Sequence, residues 1–169
     1  MNLRRVLTLI TVLSVCAFSS VVNAAQSDAY LGTGVNYLDL DDGSSVNISV
    51  TGGYDFYQRQ LLSANIQALT LAAEAQYADS ISGTDNIVNY SLFLAARMYT
   101  SERLFFKAKS GITNFPDVVL KNDDAEHSHF DLGVGLGYKL YSTTLELEYI
   151  YANKTLHASI VEISVKYHF

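Results

Sequence analysis

Residues 130–151 read Phe130-Asp131-Leu132-Gly133-Val134-Gly135-Leu136-Gly137-Tyr138-Lys139-Leu140-Tyr141-Ser142-Thr143-Thr144-Leu145-Glu146-Leu147-Glu148-Tyr149-Ile150-Tyr151. Phe130, Leu132, Val134, Leu136 and Tyr138 fall at every second position, against Asp131, Gly133, Gly135, Gly137 and Lys139. Beyond a tight connection at 140–143, Leu145, Leu147, Tyr149 and Tyr151 oppose Glu146 and Glu148. Successive side chains of a strand point to opposite faces, so a period of two marks two strands, each with one apolar and one polar face.

The same pattern extends through the chain. Leu31, Thr33, Val35 and Tyr37 oppose Tyr30, Gly32, Gly34 and Asn36, and Val46, Ile48, Val50 and Tyr54 oppose Asn47, Ser49, Thr51 and Gly53. Val88, Tyr90, Leu92, Leu94, Ala96 and Met98 oppose Asn89, Ser91 and Arg97, while Leu104, Phe106 and Ala108 oppose Lys107 and Lys109. The last segment sets Val161, Ile163, Val165, Tyr167 and Phe169 against Glu162, Ser164, Lys166 and His168. An eighth strand falls between Ile66 and Ala78, with Leu69, Leu71, Ala73, Ala75 and Tyr77 opposite Thr70, Glu74 and Gln76. Leu62, Ala64 and Ile66 sit in the opposite phase, so either a bulge resets the register or residues 55–65 form a long turn. The turn is the preferred reading, with a short amphipathic helix over 57–68 as the alternative. Polar connections at 79–86, 114–128 and 153–158 alternate with tight ones at 100–103 and 140–143, the organisation of an outer-membrane barrel. The single proline, Pro116, falls in the longest loop.

Composition narrows the class. With 169 residues, 49% hydrophobic and 17% charged, the chain suits one folded domain and not a disordered one. A net charge of -6 argues against nucleic acid, whose phosphates demand clustered Lys and Arg. The N-terminus reads as an export signal: Arg4 and Arg5, an apolar run from Val6 to Val22, then Val22-Asn23-Ala24 for cleavage. Cys16 follows Val15 where a lipoprotein signal wants a small residue, and the apolar run continues past it, so it is read as a passive part of the signal. Residues 1–24 are thus expected to be a signal peptide and residues 25–169 the barrel, which holds no cysteine and so no disulfide framework.

The polar faces argue for a lumen and not a wetted surface. Glu74, Asp131, Glu146, Glu148 and Glu162 stand against Arg97, Lys107, Lys109, Lys139 and Lys166, five acids to five bases. A narrow interior needs such balance, because a buried unpaired ion costs several kcal/mol or more. Glycines on the same faces leave room for long side chains to cross the lumen. The loops carry Asp39, Asp41, Asp42, Asp79, Asp85, Asp117, Asp123, Asp124 and Glu126 against only Lys121 and Lys154. The short-turn side carries Asp28, Asp55 and Glu102 against Arg59 and Arg103. One rim is therefore expected to be strongly acidic. Tyr37, Tyr54, Tyr77, Tyr90, Tyr138, Tyr149, Tyr151 and Tyr167 lie on apolar faces, where a girdle meets lipid headgroups.

Val161, Ile163, Val165, Tyr167 and the terminal Phe169 resemble the last strand of bacterial outer-membrane barrels, which ends in an aromatic residue and is recognised by the barrel assembly machinery. The Gly-rich strand at 133–138, followed by a short turn and the Leu-Glu strand at 145–149, is similar to the small eight-stranded OmpA-like and OmpX-like barrels, over nearly all of residues 25–169. The resemblance implies an all-β, eight-stranded antiparallel up-and-down transmembrane barrel in the bacterial outer membrane, a monomer surrounded by lipid and lipopolysaccharide. No segment like the peptidoglycan-binding domain of full-length OmpA-like proteins is present in the sequence, so tethering through one is not expected.

Chemistry beyond this is sparse. Some eight-stranded barrels are lipid A deacylases or acyltransferases, and a deacylase needs a serine, a histidine base and an acid on one face. Ser128 is flanked by His127 and His129, which point away from it on a strand, so catalysis is not expected. His127 and His129 with Asp123, Asp124, Glu126 and His157 are at most a weak cation site, without distinctive spacing. Divalent cations bridging the acidic rim to anionic lipopolysaccharide are expected instead. No motif calls for a cofactor, and the Asn-x-Ser/Thr triplets at Asn47, Asn89 and Asn153 read as chance. The leading expectation is a structural or surface-interaction barrel with a charge-plugged lumen. A loop-mediated adhesin, a lipid A-modifying enzyme and a soluble periplasmic ligand-binding barrel are the alternatives.

Overall fold

A computed structural model describes residues 28–40, 43–61, 65–83, 87–115, 128–152 and 158–169. They form eight strands: β1 (Ala29–Leu40), β2 (Gly43–Gln60), β3 (Ala68–Gly83), β4 (Val88–Tyr99), β5 (Leu104–Asn114), β6 (Ser128–Leu140), β7 (Thr143–Ala152) and β8 (Ser159–His168). Each pairs antiparallel with its sequence neighbour, and β8 returns to β1, closing the barrel. Closure leaves no unpaired strand edge, which matters where there is no water to satisfy one. Both described termini lie at the end holding the 61–67, 100–103 and 141–142 connections, where the Phe169 amide donates to the Ala29 carbonyl at 3.1 Å.

The alternation sets two unlike faces. Outward side chains are large, apolar and exposed, with Leu92 at 68%, Leu94 at 63% and Val134 at 62%. Inward ones include Glu74, Arg97, Lys107, Glu146 and Lys166, all at 3% or less. A water-soluble barrel would reverse that arrangement, so the outer wall is built for hydrocarbon. Tyr37, Tyr54, Tyr90, Tyr138, Tyr149, Tyr151 and Tyr167 all stand exposed on this wall, and Tyr77 leans on the Tyr90 ring at 5.3 Å. The glycines do need to be small: a Cβ on Gly137 would lie 2.0 Å from the Phe105 ring, and one on Gly53 would lie 2.1 Å from Tyr30.

Two segments differ from expectation. Residues 55–60 are strand and belong neither to a long turn nor to a helix, so the alternative reading of a bulge holds there. β2 stays extended to Gln60, and the register shifts between Asp55 and Tyr57, so Phe56 is the extra residue of a bulge. The actual connection is shorter and closes with the Leu61 amide donating to the Gln67 carbonyl at 2.8 Å. At the opposite end, β3 continues through most of the expected 79–86 loop, with a second shift opposite Val46/Asn47. Ladder pairing there outweighs the polar sequence, so Asp39 and Asp79 belong to strands and not to loops.

Candidate functional site

The lumen holds the ionisable cluster. Glu74 on β3 is its hub: Lys107 Nζ donates to both its oxygens at 2.7 and 2.8 Å, Lys166 Nζ to Oε1 at 3.1 Å, and Tyr30 Oη to Oε1 at 2.6 Å. Lys107 also reaches Glu146 and Glu148, each at 2.9 Å. Lys166 reaches Glu146 at 2.8 Å, and Lys109 meets Glu148 at 2.6 Å. Arg97 grips both oxygens of Asp55 at 2.9 and 3.1 Å and lies 4.7 Å from the centre of the Tyr30 ring. These residues come from β1 to β5, β7 and β8, so the network ties most of the wall together through its centre.

Asp55 was expected on the short-turn rim, and the structure corrects this. It is buried, because β2 runs past it and it precedes the bulge that changes the parity. Tyr30 is likewise a network member that the charge pattern gave no reason to include. Lys139 is not brought into the cluster: it lies half-buried beside the 141–142 turn, opposite Thr144. Glu162 and Asp131 are buried, and among the described residues neither forms an ion pair with the lysines. Glu162 accepts from Ser49 Oγ at 2.6 Å and Gln76 Nε2 at 2.7 Å, and Asp131 accepts from Thr113 Oγ1. Toward the longer connections, Leu38, Ile87, Phe93, Phe115, Ile150, Ala158 and Ile160 form an inward apolar cluster that the polar-face reading missed.

The remaining candidates are spread out. Ser128 faces outward and accepts from Asn114 Nδ2 at 3.0 Å, whereas His129 faces inward beside the Phe115 ring. They lie on opposite faces and cannot act on one substrate. A concavity of about 1200 Å³ opens on the outer wall between Tyr54, Ala73, Ala75, Tyr90, Leu92 and Leu94, lined almost wholly by apolar side chains. Among the described residues no group of three or more His, Cys, Asp or Glu converges as a metal site. Cys16, Asp41, Asp42, Asp85, Pro116, Asp117, Lys121, Asp123, Asp124, Glu126, His127, Asn153, Lys154 and His157 lie outside the described residues. In the last strand Val161, Ile163, Val165 and Tyr167 all face outward, and the Phe169 ring packs edge-on against Tyr167 at 5.4 Å.

Residues 6–169 match the family model for the outer membrane protein beta-barrel domain. The chain belongs to that family. This outer-membrane barrel also shares its fold with solved structures. The outer membrane enzyme PagL aligns with TM-score 0.59 at 11% identity, covering 82% of this chain and 99% of PagL. The N-terminal barrel domain of Pseudomonas aeruginosa OprF aligns with TM-score 0.53 at 14% identity, covering 85% and 100%. The attachment invasion locus protein Ail of Yersinia pestis, solved with the heparin analogue sucrose octasulfate, aligns with TM-score 0.50 at 13% identity, covering 85% and 97%. At these identities the likeness is one of fold. No curated protein matches the sequence. Family and neighbours together imply a bacterial outer-membrane location for the barrel.

Proposed function

We propose that this barrel has a structural or surface-interaction role, with a lumen closed by its own side chains, and that it is neither a diffusion pore nor an enzyme. The observation that carries the reading is the interior: Lys107, Lys166 and Arg97 are buried there against Glu74, Glu146 and Asp55. A wide pore keeps water there, whereas an eight-stranded barrel is filled by its own side chains. Residues 1–24 serve as the export signal, and Val161, Ile163, Val165, Tyr167 and Phe169 are the strand read by the assembly machinery. The folded monomer sits among lipid and lipopolysaccharide, with divalent cations bridging anionic headgroups to outward carboxylates such as Asp39 and Asp79. An acidic rim repels polyanions, so sulfated glycans of the kind seen with Ail are not expected as ligands here. Planar-bilayer recording combined with fractionation of cells tests the reading. A heat-modifiable outer-membrane band with no stable channel steps is the expected result. Large sustained conductance would overturn the plug, and a soluble periplasmic protein would overturn the placement.

A further inference from the structure

The outer wall is uneven. Between Tyr54 on β2 and Tyr77 on β3 the outward side chains shrink to Gly52, Ala73 and Ala75. These are neighbours on the sheet: Gly52 is the register partner of Ala75, and Tyr54 that of Ala73. A Cβ on Gly52 would meet nothing within 4 Å, so the space above it is open. Across β3, Leu92 and Leu94 stand opposite Ala75 and Ala73 in register and rise from the wall. The small floor and tall sides make the concavity of about 1200 Å³. Its lining runs from Val50 on β2 to Phe130 on β6, four strand spacings or about 19 Å across the sheet. No Lys or Arg lines it.

The depression is continuous with the lipid-facing wall of an outer-membrane barrel, so hydrocarbon fills it and water does not. The Tyr77 and Tyr90 rings pack at 5.3 Å toward its end nearer the long connections, and Asn114, the register partner of Tyr90, lies at the same level. Short turns mark the periplasmic side of such barrels and long loops the outside, so this end opens to the outer leaflet. A second copy of the chain fits poorly. A two-fold dimer sets one patch against itself, and two concavities face to face leave a void whose lining loses its contacts. Flexible chains fill a concave floor of this kind.

We infer that this depression is a docking site for the acyl chains of lipopolysaccharide, the anionic lipid of the outer leaflet. The inference rests on the outer-membrane placement proposed above. Several chains carried on one headgroup suit a surface five strands wide, of which a two-chain phospholipid covers less. Tyr77, Tyr90 and Asn114 bring polar groups to the level where the chains join the headgroup. Asp79 lies two residues beyond Tyr77 on the same face. With an acidic side chain there and no cation in the lining, apolar contact supplies the affinity and direct charge attraction does not.

The test is titration of purified lipopolysaccharide, and separately of phosphatidylethanolamine, against the folded, lipid-stripped full-length barrel in detergent, with bound lipid measured by mass spectrometry. Wild type is compared with Gly52→Leu and Ala75→Phe, which fill the floor. Ala108→Phe, which adds bulk to the outer wall outside the depression, is the control. Wild type and the control should bind lipopolysaccharide alike and in preference to phosphatidylethanolamine. Each filled variant should bind about tenfold more weakly, the effect of withdrawing roughly two methylene groups from contact. Heat-modifiable migration and membrane fractionation report the folding and placement of every variant, and Gly52→Leu carries the test if Ala75→Phe does not fold. Undiminished binding by the filled variants, equal or tighter binding of phosphatidylethanolamine, or a dimer that the fillings dissolve would each overturn the inference. Absence of lipopolysaccharide binding by a barrel found in the outer membrane overturns the inference alone, whereas a protein found outside that membrane overturns the placement with it.

Discussion

Replacing Glu74 by Ala removes the carboxylate on which Lys107, Lys166 and Arg97 converge. The three cations are not equally stranded. Lys107 keeps Glu146 and Glu148, Lys166 keeps Glu146, and Arg97 keeps Asp55. What changes is the balance of the plug, from four cations and four anions to four and three. Breaking a buried pair from one side costs about 3–5 kcal/mol, because a charge is left without its partner. Lys107→Ala produces the mirror imbalance and a similar cost. If the two losses added, the double variant would lose roughly 6–10 kcal/mol, comparable with the ~5–15 kcal/mol stability of a whole domain. The double variant is neutral again at three against three, so it should be more stable than additivity allows by at least about 2 kcal/mol. Urea unfolding in lipid vesicles, followed by the shift between folded and unfolded gel bands, measures all four proteins. The reasoning fails if each single variant costs under about 1 kcal/mol and the coupling is absent. That is the behaviour of solvated ion pairs, and the lumen would then be a water-filled channel with charges on its wall.

Three other perturbations read separate parts of the barrel. A Cβ at Gly111 would lie 2.0 Å from the Leu92 carbonyl oxygen, which is backbone and cannot swing aside, whereas one at Gly52 meets nothing within 4 Å. Gly111→Ala should therefore cost about 1–3 kcal/mol or more in urea unfolding, and Gly52→Ala should be close to neutral. Leu94→Arg places a charge on the outer wall at a side chain 63% exposed, and should lower stability in vesicles by about 2–4 kcal/mol while leaving detergent-solubilised protein less affected. Tyr141 holds the left-handed turn conformation, φ 54°, with its ring 92% exposed, so Tyr141→Gly should gain about 1 kcal/mol in the same unfolding assay.

The faces of the strands were legible because a period of two is a local property. The positions of Glu74, Lys107, Glu146 and Glu162 inside the wall follow from their immediate neighbours alone. The phase change at Leu62, Ala64 and Ile66 allowed either a bulge or a long turn, and the choice was not legible, because Tyr54-Asp55-Phe56-Tyr57 places aromatic residues on both parities and so does not locate an inserted residue. The preference for a turn over a bulge is what counted Asp55 with the rim and not with Arg97. Leu38, Ile150 and Ile160 were hidden for a related reason: an apolar residue on a polar face reads as noise until the closed barrel shows that they meet.

Charge matching depends on height, and height depends on the stagger between strands, which no single strand encodes. Five acids against five bases is a sum over the lumen, and it conceals where each charge lies. With Asp55 inside and Lys139 beside the 141–142 turn, the same residues divide into a cluster that is ion-paired throughout and two carboxylates, Glu162 and Asp131, that accept from hydroxyls and an amide and make no ion pair among the described residues. A charge total near zero is therefore compatible with an uneven distribution of ion pairs inside the barrel. Pairing level by level, and not composition, sets the electrostatics of the lumen.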